Sequence, residues 1–328
     1  MDFGVYLPTH AWPDLASGRA ARLEAFARKA ETLGFDALWV GEHFLVAGHY
    51  GTAWMSPLLC LSHAAAVTTR IRLATGVLVL PYHHPLTLAR HIQTLHHLSG
   101  GRFVLGVGPG WDRHEFESLG MRLSERGART DEMLAALRRL LTEPEVTVEG
   151  RFYRFRNASI MPLLGRLPEL WVAGGSKMPS AGSPDKPYLA RAVLERIRTA
   201  DGWLARGDAT PEMLTRDLVA IRAHLERSGR DPGALRYGHY NFAHLVDASD
   251  RNEALRRQRP LFERAMGSRR SFEQMQACYL LGTTRDVVER LATLEAAGFD
   301  YFVLATVNDD LEQLERFASE VLPRLRTR

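Results

Sequence analysis

Eight short apolar runs, each followed by a stretch of helical periodicity, constrain this chain more than any other feature of its sequence. They are FGVYLP (3–8), DALWVGE (36–42), RLATGVLVL (72–80), RFVLGVG (102–108), ELWVAG (169–174), DGWLA (201–205), YGHYNFAHLV (237–246) and YFVLAT (301–306). Near-continuous apolar strands are those buried on both faces, and intervening helices make such a sheet parallel. In RLEAFARKAETLG, for example, Leu23, Phe26, Ala27, Ala30 and Leu33 fall at helical spacing. Eight such units predict a closed (β/α)8 barrel, an α/β fold, running as one domain over 1–328. An internal echo fits equivalent units: AETLGFDALWV and LEAAGFDYFVL each end a helix at glycine, Gly34 and Gly298, where a C-cap favours positive φ. Insertions are predicted after strands four and five. The first, VTVEGRFYRFRN (146–157), alternates at period two around Glu149 and Gly150 as a hairpin does; the second is rich in Ser, Pro and Gly.

In a barrel of this kind chemistry belongs to the strand C-termini and the loops that follow them. Strand two ends in Glu42, His43 and Phe44; strand three in Pro81, Tyr82, His83, His84 and Pro85; strand four in GVGPGW (106–111); strand five in Gly174, Gly175, Ser176 and Lys177. No metal site is expected: HEFES (114–118) lacks the second histidine of a His-Glu-x-x-His zinc motif, and His91, His96 and His97 lie in one predicted helix. Acyl transfer lacks its nucleophile, because there is no Gly-x-Ser-x-Gly elbow and neither Cys60 nor Cys278 closes a strand. What the loops offer is glycine, backbone amides that suit an anion, and a histidine able to handle protons near neutral pH.

Charge narrows the partners. The 42 Lys and Arg and 38 Asp and Glu are scattered in short alternating pieces, so a net charge of +4 is no nucleic-acid footprint. Two cysteines make no disulfide framework. No apolar run reaches the length of a membrane span and the N-terminus does not read as a signal peptide, so a cytoplasmic location and no membrane partner are expected. Only three lysines occur, and Lys177 and Lys186 share the loop after strand five.

Taken together, GFDALWVGEH, RIRLATGVLVLPYHHP, LSGGRFVLGVGPGWDRHEFESLG, ERGARTDEMLAALRRLL, VEGRFYRF, LWVAGGS and ADGWLA resemble, in order and spacing, the luciferase-like flavin- or coenzyme F420-dependent oxidoreductases, the superfamily of bacterial luciferase. The resemblance spans nearly the whole chain. It implies a reduced flavin or deazaflavin at the strand C-termini and a cis peptide between Gly76 and Val77, with Val77 as a backstop behind the ring. It further implies His43 as the catalytic residue beside the ring's reactive edge, with Gly108 and Trp111 at the cofactor. The cofactor phosphate is expected at Gly174, Gly175 and Ser176, with Lys177 adding charge. In this reading core packing alone does not require Gly76.

Two departures bear on activity. Deazaflavin enzymes that oxidise sugar phosphates carry a glutamate proton donor where this chain has Trp111, and luciferase keeps a phosphate-binding arginine at the place of Pro109. The first disfavours sugar-phosphate oxidation and the second an exact luciferase analogue; the resemblance implies first a two-component monooxygenase, with reduced FMN from a transient flavin reductase partner, oxygen and a small organic substrate, in a homodimer. Trp12, Phe44, Trp54, Trp111 and Tyr240 are the candidates for a water-excluding lining. The alternatives are hydride transfer with coenzyme F420 and, more remotely, a non-catalytic flavin-binding protein.

Overall fold

Every predicted strand forms. They are β1 (Asp2–Tyr6), β2 (Ala37–Val40), β3 (Arg72–Thr75), β4 (Phe103–Gly108), β5 (Glu169–Ala173), β6 (Gly202–Ala205), β7 (Arg236–Ala243) and β8 (Tyr301–Thr306). Neighbours pair in parallel throughout, and β8 returns to β1 through Asp2 opposite Tyr301, which closes the barrel. The structure is a computed structural model that describes residues 1–11, 18–45, 53–179, 189–267, 270–308 and 310–326. Surrounding helices include α1 (Arg19–Thr32), α2 (Pro57–Val67), α3 (Pro85–Leu98), α4 (Arg113–Ser118), α5 (Arg126–Thr142), α6 (Arg191–Ile197) and α7 (Pro211–Arg227). Among the described residues no helix is long and apolar enough to cross a membrane.

Large aromatic rings fill the barrel. Trp39, Trp171 and Tyr301 meet edge to face at centroid distances of 5.2–5.8 Å, and Trp39 Nε1 donates to Tyr301 Oη at 3.2 Å. Such pairs add about 0.5–1.5 kcal/mol each beyond the area they bury. Rings of this size need bare backbone opposite them. A Cβ on Gly4 would lie 2.5 Å from Trp39 Nε1, and one on Gly202 2.3 Å from Trp171 Cδ2. The strand glycines are thus the counterpart of the interior tryptophans.

The Gly-Phe-Asp echo has a physical cause. Gly34 and Gly298 do adopt positive φ, at 80° and 109°. The aspartates that follow accept the first amides of the neighbouring strand: Asp36 takes Phe3 N–H at 2.6 Å and Asp300 takes Tyr237 N–H at 3.1 Å. Asp201 does the same for Leu170 at 2.7 Å, so each carboxylate satisfies a donor left over where a strand begins.

The hairpin after β4 consists of Val146–Glu149 paired antiparallel with Arg154–Ala158. Glu132 of α5 secures its turn by accepting the amides of Phe152 and Tyr153 at 3.0 and 2.8 Å. Of the stretch after β5, 180–188 lies outside the described residues, and so does Lys186. The predicted third strand (72–80) divides into β3 and a two-residue piece, Leu78–Val79, at the Gly76–Val77 peptide, which is cis. One expectation is corrected here: packing does require Gly76. A Cβ there would stand 2.8 Å from Trp39 Cε3 and 2.9 Å from Tyr6 Oη.

Candidate active site

Two groups of predicted residues come together at the C-terminal end of the barrel. The first is the wall. Gly108, closing β4, faces Val77 so closely that a Cβ would lie 2.8 Å from Val77 Cγ2, so the missing side chain makes room for Val77. The second group surrounds His43, which follows β2. Its ring lies 5.2 Å from Trp54 and 5.6 Å from Trp111, the latter at 79°. Gly41 links the groups, because a Cβ on it would sit 3.3 Å from Trp54 and 3.4 Å from the Gly76 carbonyl. Gly76, Val77, Gly108, His43 and Trp111 are therefore contiguous.

Glu115 holds the His43 group together, and sequence reasoning missed it. Asp112 caps α4, accepting from His114 N–H at 2.9 Å, and Glu115 in the first turn of that helix is 2% exposed. Its Oε1 accepts Phe44 N–H at 2.6 Å and Leu45 N–H at 3.0 Å and stands 3.3 Å from His43 Nδ1; its Oε2 accepts from Tyr82 Oη at 2.7 Å. Burial pushes the Glu115 carboxyl up, but the bonds from His43, Leu45 and Tyr82 outweigh it and hold it at about 2. Tyr82 is pushed above its ordinary range, first by burial and then by this same bond. The failed zinc motif HEFES thus contains, in Glu115, a partner for a histidine 72 positions earlier.

A second carboxylate–imidazole pair lies alongside. Glu42 accepts Val79 N–H at 2.7 Å, just past the wall, and its oxygens lie 3.0 and 3.1 Å from His83 Nε2. His84 turns away, toward Tyr153 and Phe155 of the hairpin. Among the candidate lining residues, Tyr240 packs 5.7 Å from Tyr6 and Phe44 is 58% exposed; Trp12 lies outside the described residues.

The turn after β5 departs from expectation. Ser176 was to offer its amide and hydroxyl to a phosphate, but both already go to Asp217 of α7, at 2.5 and 2.7 Å. The Gly174 amide donates to Leu204 O at 3.3 Å. The reason is that α7 places a buried acid, Asp217, directly over the turn: a Cβ on Gly175, at φ 125°, would lie 2.8 Å from its Oδ2. Burial raises the Asp217 carboxyl above its ordinary value against the Ser176 bonds that lower it. A carboxylate thus stands where an anion was expected.

A flavin ring suits one part of this end better than the other. The aromatic surfaces, the glycine-lined wall and an imidazole fit a planar ring system, while the phosphate turn carries its own acid. Cavities of about 390 and 660 Å³ lie at the opposite end, both lined by Arg72 and Arg236 and the larger also by Glu169. Their charges are paired, with Arg72 on Glu169 at 2.5 Å and Arg236 on Asp300 at 3.2 Å, as befits the end of a barrel that maintains stability. Among the described residues no three His, Cys, Asp or Glu side chains gather as metal ligands.

Comparison with known proteins places this geometry. Residues 1–301 match the family described as luciferase-like monooxygenase. A 4-hydroxyprotoasukamycin monooxygenase from Streptomyces nodosus subsp. asukaensis is 40% identical over 177 residues, 50% of this chain but only 46% of that relative. An F420-dependent glucose-6-phosphate dehydrogenase from Intrasporangium calvum is 28% identical over 91% of this chain and 92% of its own. The crystal structure of monooxygenase RslO1 from Streptomyces bottropensis superposes with a TM-score of 0.80 at 26% identity, covering 98% of this chain and 99% of that one. The chain therefore belongs to the luciferase-like monooxygenase family and is an oxidoreductase built on that family's barrel.

Proposed function

We propose that this oxidoreductase is a two-component monooxygenase that takes reduced FMN from a separate reductase and acts with oxygen on a small organic substrate. Reduced FMN, when bound, would supply the electrons that activate oxygen. Gly76, Val77 and Gly108 would form the wall behind the ring. His43 would hydrogen-bond or exchange a proton beside it, a task suited to imidazole. Trp54 and Trp111 would exclude water around that nitrogen. Gly174, Gly175 and Lys177 remain the groups proposed for the phosphate end, with Ser176 reduced to holding the turn through Asp217. The oligomer we propose is a homodimer, working in the cytoplasm.

The observation that weighs against the sugar-phosphate-oxidising form of hydride transfer is Trp111 against His43. Where a deazaflavin dehydrogenase of sugar phosphates would keep a carboxylic acid as proton donor, this site has an indole with no such proton to give. The acid that is near, Glu115, is held ionised and accepts rather than donates. The second reading, hydride transfer with coenzyme F420, is favoured by the length of the match to the Intrasporangium dehydrogenase.

Anaerobic titration with reduced FMN and with reduced coenzyme F420, followed by admission of oxygen, separates the two. The monooxygenase reading expects saturable FMN binding and oxygen uptake that depends on His43. Tight binding of coenzyme F420 with no oxygen uptake would sink it.

A further inference from the structure

We propose that Glu115 is a positioning residue that keeps the proton of His43 on Nδ1, so that Nε2 is the ring nitrogen that exchanges protons at the site. The inference rests on the reading of His43 as the proton-handling group, and goes beyond it by fixing which nitrogen does the work and what enforces the choice.

The argument is one of donors and acceptors. An ionised carboxylate only accepts hydrogen bonds. Three groups converge on Glu115 Oε1, and two of them, Phe44 N–H and Leu45 N–H, are backbone donors that cannot be anything else. The third is His43 Nδ1 at 3.3 Å. An unprotonated Nδ1 would set its lone pair against that oxygen where Glu115 is 2% exposed, so the repulsion would be largely unscreened. A protonated Nδ1 donates instead. The contact is long because three donors share one oxygen. The other oxygen, Oε2, accepts from Tyr82 and so fixes the carboxylate's orientation.

Ring and loop are also locked together. The oxygen that faces Nδ1 seats the two amides after His43, and Trp54 and Trp111 flank the imidazole. A tautomer change would therefore have to disturb the loop as well as the ring. A carboxylate behind one histidine nitrogen is a familiar way to set which nitrogen works at a site.

The test is nitrogen-15 NMR of protein labelled at its histidines, with the His43 signals identified by their loss in His43→Gln. It needs no cofactor, so it can fail while the flavin reading stands, and the flavin reading can fail while it holds. The wild type is expected to show the neutral His43 ring protonated at Nδ1. Glu115→Ala is expected to lose that single-tautomer pattern, and Glu115→Gln, which keeps an acceptor oxygen, to retain it in part. A wild-type proton on Nε2 overturns the proposal without any variant, which keeps the test decisive should Glu115→Ala fail to fold. An unchanged Nδ1 pattern in a folded Glu115→Ala protein overturns it equally.

Discussion

Replacing Glu115 with glutamine should remove a pH-dependent part of this protein's stability, and the size of that part follows from the site. The carboxyl sits at about 2 when folded, against an ordinary value of 4.5. A carboxyl depressed by folding stabilises the native state above its unfolded value and loses that stabilisation as pH falls through the folded one. At about 1.4 kcal/mol per pH unit, the interval from 4.5 to about 2 corresponds to about 3 kcal/mol at neutral pH. Most of it, about 2 kcal/mol, should be gone by pH 3. The assay is urea unfolding of wild type and Glu115→Gln from pH 7 to 3, reading the difference between them so that other carboxylates cancel. The gap should be widest near neutrality and narrow steadily below pH 5. A gap that stays constant across this range would refute the reasoning, because it would mean that the charge of Glu115 contributes nothing beyond the shape of its side chain.

Other consequences can be checked directly. Gly76→Ala should cost about 1–3 kcal/mol in denaturant unfolding, since its Cβ would meet the fully buried Trp39 ring as well as Tyr6 Oη; a change under about 0.5 kcal/mol would contradict the packing. Lys177→Ala should weaken reduced-FMN affinity and flatten its salt dependence, and unchanged values would remove Lys177 from the phosphate end. Asp217→Asn, which keeps an acceptor for Ser176 while removing the negative charge, should tighten FMN binding severalfold if the phosphate meets this turn. Equal affinity in both proteins would place the phosphate elsewhere.

The barrel was legible in the sequence because strand periodicity is local: each of the eight runs carries its own signal within a few residues. The strand-end positions of His43, Gly108 and Trp111 were legible in the sequence, whereas Val77 lies inside the predicted run 72–80 and was singled out only by the resemblance. What escaped were pairings set by topology. Glu115 reaches His43 across 72 positions, and Asp217 reaches Ser176 across 41, so no window of sequence contains both partners. The packing reason for Gly76 escaped likewise, because its neighbours Tyr6 and Trp39 stand on two other strands. Asp217 also shows why a glycine-rich turn is weak evidence for a phosphate: its donors need an acceptor, and an acid from a nearby helix satisfies them as well as a ligand does.

The central claim, that the barrel mouth around His43 carries oxygen chemistry on reduced FMN, is tested most directly by stopped-flow mixing. Protein loaded anaerobically with reduced FMN is mixed with oxygenated buffer, and the flavin absorbance is followed in wild type and His43→Gln. The account predicts that wild type passes through a transient absorbance distinct from both reduced and oxidised FMN, and that turnover falls by about 10²–10⁴ in the variant. Direct reoxidation at the rate of free flavin in both proteins would contradict it.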